Sequence, residues 1–166
     1  MGSDQHFRPL ALAIVLALTA PAAHAQTPEQ WVQWGERVHG GFGSLIALGI
    51  RVGLDAMQRL GAGRRELIVH YADGPQTPCP CAVDGIAIAV SASLGQGTLS
   101  LASERASDGL LARVTFTHKP TGRKLTYELP QSVLPAMQAI NRDTTGIGRY
   151  EAVMKLDAAS LFRVLP

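Results

Sequence analysis

Between Ala82 and Leu94 the chain carries a single ionisable residue, Asp84. The run is apolar or small on every side, so as a helix it has no face fit for water and must be buried on most sides. Directly before it stands Pro78-Cys79-Pro80-Cys81, with the only two cysteines among 166 residues, each preceded by a proline. Prolines 75, 78 and 80 hold this loop extended, and Pro80 suits a first helical turn. Two soft donors and one buried carboxylate are thereby gathered at a helix N-terminus, where the dipole favours thiolate over thiol.

The elements around this segment follow from periodicity and punctuation. Thr27-Pro28-Glu29-Gln30 predicts a helix start with a capping box, and Trp31, Trp34 and Val38 its apolar stripe. His39-Gly40-Gly41-Phe42-Gly43 breaks that helix. Ser44 reads as the cap of a second one, reaching about residue 60, buried all round at first and then exposing Arg51, Asp55, Gln58 and Arg59. Residues 66–72 read as a strand apolar on both faces, hence central. The apolar helix runs from Pro80 to Leu94, closed by Gly95-Gln96-Gly97. Three alternating strands follow at 98–103 (Leu99 and Leu101 inward), 111–119 (Ala112, Val114, Phe116 and His118 on one face) and 123–129 (Leu125, Tyr127 and Leu129 inward). Pro120-Thr121-Gly122 turns the last pair. An amphipathic helix at 131–141, a polar loop to Gly148, a short helix at 150–156 and a final turn capped by Asp157 complete the chain. The expected class is α+β: a mixed four-stranded sheet, ordered helix-strand-helix-three strands and covered by helices.

Residues 1–25 read as a secretory signal. Arg8 precedes the nine apolar residues Leu10 to Leu18, and Ala23-His24-Ala25 is an A-x-A cleavage site. Nine residues fall well short of the ~20 needed to span a bilayer. The expected protein is therefore periplasmic or secreted, cut after Ala25, with one domain over residues 26–166 and no membrane span after cleavage. A net charge of +2 without a basic run argues against nucleic acid. No Ser-His-Asp order, phosphate loop or dinucleotide fingerprint is present.

An oxidising compartment permits a disulfide. Only Cys79 with Cys81 can form one within the chain. Residues two apart reach the usual Cα separation of roughly 4.4–6.8 Å only in a bent backbone, and so short a loop gains little chain entropy. Three readings stay open for the pair: an inert or reversible disulfide, a metal-binding pair, or a redox or nucleophilic thiol. Asp84, one turn past Cys81 on the same helical face, is costly to bury unless paired or coordinating. His39 sits in a glycine-rich break where the backbone can approach a ligand. His70 and His118 read as ordinary sheet histidines.

Two blocks resemble a known family. One is His39-Gly-Gly-Phe-Gly-Ser-Leu-Ile-Ala-Leu-Gly-Ile-Arg; the other is Cys81-Ala-Val-Asp-Gly-Ile, leading to Gly95-Gln-Gly-Thr-Leu. They are similar to the FmdE-like domain family, named for formylmethanofuran dehydrogenase, whose members read H-G-H-x-C-P-G-x-x-x-G-x-R and C-x-V-D-A-I-Q, then T-G-C-T-x-G-K-G-N-L. The resemblance implies a metal site on the first-block histidine and cysteine and the second-block cysteine and aspartate. His39, Cys81 and Asp84 match. The family's second histidine is Gly41 here, its first-block cysteine Gly43, its glutamine Ala87 and its lysine Gln96. Cys79 is placed to replace the lost thiolate, giving His39, Cys79, Cys81 and Asp84 as the expected ligands of a metal ion or small metallocofactor. Zinc is the default for such donors, with copper(I) the alternative in an exported protein. The functional expectation is an exported metal- or metallocofactor-binding protein. An enzyme or redox protein using Cys79, Cys81 and Asp84 on a small substrate, or a non-catalytic scaffold, are the alternatives, and a homodimer stays open.

Overall fold

The computed structural model describes residues 26–166, so the export signal expected at residues 1–25 lies outside the described residues. Six helices and five strands follow in the order α1 Pro28–His39, α2 Ser44–Leu60, β1 Leu67–Asp73, α3 Cys81–Val90, β2 Leu99–Leu101, β3 Leu110–His118, β4 Lys124–Pro130, α4 Leu134–Asp143, α5 Gly146–Lys155, α6 Ala158–Leu161 and β5 Arg163–Leu165. A single 3-10 turn, Gln131–Val133, leads into α4. The class is α+β with a mixed sheet, ordered β2-β1-β3-β4-β5. Only β1 and β2 are parallel; the other neighbours are antiparallel.

The central helical pair is α2 and α3, and glycine sets their separation. A Cβ on Gly49 would lie 2.0 Å from the Ala82 carbonyl oxygen, and one on Gly85 would lie 2.0 Å from that of Ile46. One turn along α2, a Cβ on Gly53 would lie 2.7 Å from the Ala89 Cβ. The two backbones therefore touch along a line of small residues spaced four apart, an approach that any side chain would block. This contact buries α3 against Ile46 and Ile50, both 0 % exposed. The same helices cover one face of the sheet. There Leu67, Val69 and Tyr71 of β1 stand in register with His118, Phe116 and Val114 of β3, and Val114 and Ala112 continue to Tyr127 and Leu129 of β4. Phe116, Tyr127 and Phe162 stack edge to face at 5.3 and 5.2 Å. Among the described residues no single helix is long and apolar enough to cross a membrane.

Several expectations change. β1 is central, but it buries one face only: Ile68 is 38 % exposed and His70 is exposed. The helices cover one side, so apolar character on both faces did not require burial on both. Leu101 points to solvent from an edge strand of three residues. α3 stops at Val90 because Ser91 turns left-handed, φ 57°. The Thr98 hydroxyl then accepts from the Ser93 N–H and donates to the Ser93 carbonyl, competing with helix continuation and leaving Leu94 exposed. Ser44 is the first residue of α2 rather than its cap; Gly43 holds the cap position, and the Ser44 hydroxyl donates to the Met137 carbonyl at 2.8 Å. On α1 the buried residues are Trp31, Val32 and Gly35, while Val38 is exposed. α5 starts at Gly146, so the polar loop before it is shorter than expected.

The sheet has a fifth strand, where four were expected. β5 is three residues long, too short for its periodicity to show, and it is held on β4 by charge. Glu128, 5 % exposed, accepts from Arg113 Nη2 at 2.7 Å and from Arg163 Nε at 3.1 Å. Arg163 first and Arg113 second hold its carboxyl below the ordinary glutamate range.

This packing makes two testable predictions. Gly49→Ala and Gly85→Ala should each destabilise by about 1–3 kcal/mol or more, because backbone must shift to admit the methyl; urea unfolding measures it. The Glu128 carboxyl titrates lower folded than unfolded. Its contribution is thus present above about pH 4.3 and lost as pH falls through the folded value. Glu128→Gln should lower the urea midpoint at neutral pH, with the gap to wild type closing in acid.

Candidate functional site

His39 is the last residue of α1, and the glycine-rich loop after it fixes its position. Gly40 is left-handed, φ 86°, and its N–H closes the helix on the Glu36 carbonyl at 2.9 Å. The loop beyond is held from α4 and α5. Arg149 donates to the carbonyls of Phe42, Asn141 and Thr144 at 2.8, 2.9 and 3.0 Å. The Asn141 side chain accepts from the Ser44 N–H at 2.8 Å. The glycine-rich break is thus a fixed corner that aims His39 across to α3.

α3 begins at Cys81, with Asp84 in its first turn. His39 Nδ1 lies 2.7 Å from Asp84 Oδ2. The side chains are 34 % and 35 % exposed, so the carboxylate is half-buried rather than enclosed. The end of α1 covers only part of the first turn of α3, which the apolar run alone does not show. In the neutral imidazole, Nδ1–H donates to Asp84 and Nε2 keeps a bare lone pair. A carboxylate fixing a histidine tautomer in this way is a recurrent support for metal ligation and for proton transfer.

Cys79 and Cys81 are joined as a disulfide, with Cα atoms 5.3 Å apart. The proline-rich loop is bent enough for this: Thr77 Oγ1 donates to the Leu111 carbonyl and Gln131 Nε2 to that of Gln76, at 2.5 and 3.3 Å. The four expected ligands therefore stand as two pairs, His39 with Asp84 and Cys79 with Cys81. Among the described residues no three His, Cys, Asp or Glu side chains converge as a metal-holding group. A disulfide sulfur carries no charge and ligates poorly. Only as a dithiol do Cys79 and Cys81 supply thiolates, and the donor types then suit zinc.

Tyr71 and Asp73, on β1, were not anticipated. The Tyr71 hydroxyl and Asp73 Oδ1 are buried beside each other. Both line a cavity of about 180 Å³ with the 101–105 segment. Burial first, then the nearby carboxylates of Asp73 and Asp84, push the phenol up. Alternation hid Tyr71 as one more core residue; the only signal was an acid at the end of an apolar strand. His70 and His118 make ordinary sheet contacts, with Ser100 Oγ and Thr121 Oγ1, each at 2.9 Å. The Gly95-Gln96-Gly97 turn spends its amides locally, Gly97 on the Leu94 carbonyl and Gln96 on Ser93 Oγ.

The His39–Asp84 contact predicts a tautomer. Nitrogen-15 spectra of the neutral imidazole should show protonated Nδ1 and bare Nε2, and Asp84→Asn should shift the balance towards the Nε2–H form.

No curated protein matches the chain. A family model described as "FmdE, Molybdenum formylmethanofuran dehydrogenase operon" matches residues 38–157, spanning the corner at His39, the disulfide segment, α3 and the whole sheet except β5. On that match, the chain belongs to the FmdE family.

Proposed function

We propose that the protein is an exported metal- or metallocofactor-binding member of the FmdE family, with His39 as its anchoring ligand. The observation that carries this is the 2.7 Å contact between His39 Nδ1 and Asp84 Oδ2, which leaves Nε2 free to coordinate. Cys79 and Cys81 join as thiolates once a thiol reductant has taken up the disulfide by exchange, the reductant leaving as its own disulfide and the two freed sulfurs losing their protons to the metal. Asp84 then either orients His39 or takes a coordination position itself. Zinc fits an imidazole, two thiolates and a carboxylate, and copper(I) would favour the sulfurs. The bound metal would supply a Lewis-acid or carrier site; this chain supplies the donors and the rigid corner that holds them. Export is part of the proposal, because a disulfide spaced so closely is at home in an oxidising compartment.

A second reading rests on the disulfide itself. Beside an oriented histidine, a reversible Cys79–Cys81 pair could exchange with a small thiol substrate, the substrate thiolate attacking one sulfur and releasing the other.

One experiment separates the two. Purified protein is loaded with zinc before and after reduction, with His39→Ala and Cys81→Ser alongside, and metal is measured by elemental analysis. The metal reading expects about one zinc per reduced chain and much less in either variant. Less than half an equivalent in reduced wild type, unchanged in the variants, would overturn it. Rapid exchange with glutathione in a protein that takes no metal would favour the second.

A further inference from the structure

A slot of about 280 Å³ opens between α1 and α3. Its floor is Val38 with Ala87 and Ile88, and its wall is Trp34. Val38 is 57 % exposed, an apolar side chain that the fold leaves unburied. Ser91 ends the floor, in the left-handed conformation that stops α3. Two cations close the rim, Arg37 and Arg64. The Arg64 guanidinium is stacked 5.2 Å from the Trp34 ring centre and 5.5 Å from that of Trp31. It also donates to the Gln26 side-chain oxygen at 2.5 Å. Among the described residues the ion pairs lie elsewhere, and neither Arg37 nor Arg64 meets a carboxylate.

We propose that this slot binds a small amphipathic carboxylate, its apolar body on Val38, Ala87 and Ile88 and its anionic end on Arg37 and Arg64. Charge decides the class. Two guanidiniums on one rim attract an anion, and their planar forks match a carboxylate. Arg64 already covers the aromatic faces, so a cationic ligand would meet repulsion where it would otherwise stack. The lining offers few neutral hydrogen-bonding groups beyond Ser91, which disfavours a sugar or other polyol. The volume lies just below the range of drug-sized ligands, about 300–1,000 Å³, and suits a short alkyl or single-ring acid. The site is separate from the His39–Asp84 pair, though it begins at Val38, directly before His39, on α1 and about one turn after Asp84 on α3, and it stands whether or not a metal is held.

The chain reports on its own slot. It has two tryptophans, one forming the slot wall and both in contact with Arg64. Oxidised, metal-free protein is titrated with octanoate, octan-1-ol and octylamine, following tryptophan emission and, for affinity, calorimetry. Octanoate should give a saturable change with Kd below about 1 mM, and the alcohol and amine should bind at least about tenfold more weakly. Arg37→Gln and Arg64→Gln should each weaken octanoate about tenfold. Ala87→Leu should fill the floor and abolish binding while the circular dichroism spectrum stays that of wild type. No saturable response to octanoate overturns the proposal. So does equal binding of the alcohol, or unchanged affinity in both arginine variants. A dimer that Val38→Glu dissociates, with no octanoate response in either protein, would assign the slot to a second copy instead.

Discussion

Contact between the α2 and α3 backbones sets the rest of the molecule. With Gly49 against the Ala82 carbonyl and Gly85 against that of Ile46, the helices have essentially one register. Where these glycines meet a carbonyl, any side chain would hold the two backbones apart. That register has a chemical consequence. Asp84 is the neighbour of Gly85, and α2 begins five residues after His39. Locking the helices therefore also locks the separation between the acid and the histidine. The site is an outgrowth of the core, held to the 2.7 Å of its hydrogen bond by glycines that carry no chemistry.

The parts of this fold that were legible in the sequence are those where local signals and burial agree. The Thr27 capping box, the alternation of β3, the Asp157 cap and the burial of the first half of α2 all follow from residue type and spacing, and all are present; β4 does not alternate, because the Arg113 and Arg163 guanidiniums let Glu128 be buried on its other face. The errors share a cause. Apolar runs show that burial is possible and do not show on which side. β1 carries apolar residues towards solvent because the helices cover a single face of the sheet, and Leu94 is exposed because the helix ends before it at Ser91. β5 was illegible because three residues have no period and its hold on β4 is an ion-pair cluster made across the sheet. For the site, resemblance brought His39 and Asp84 together before any coordinates did. Tyr71 and Asp73 stayed hidden because their juxtaposition is a property of the assembled interior.

Gly41 and Gly43 stand where the resemblance places a histidine and a cysteine. Packing does not force glycine at either position. A Cβ on Gly41 would meet nothing within 4 Å, and one on Gly43 would meet only Asn141 Oδ1 at 3.8 Å. Neither has the left-handed backbone that would demand glycine. Side chains would fit, so the fold leaves the choice of donors on this corner to chemistry. Both sulfurs of the cysteine pair lie instead at the start of α3, where they can close on each other. Placing both on one short loop makes the availability of sulfur donors depend on redox state.

The α1–α3 seam then has two characters. At one end His39 and Asp84 present a polar, oriented pair; beside it Val38, Ala87 and Ile88 present an apolar floor under two arginines. On α3 the two share a face, because Ala87 and Ile88 sit three and four residues after Asp84; on α1 Val38 precedes His39 directly and so points about a quarter-turn away from it. The apolar end would lose its purpose if α1 packed more tightly, since Val38 would then be buried like Trp31. Arg64 stacks on both tryptophans at this edge, and its guanidinium is costly to bury without an anion. The cation that covers the tryptophans is thus also the group proposed to select what enters the slot.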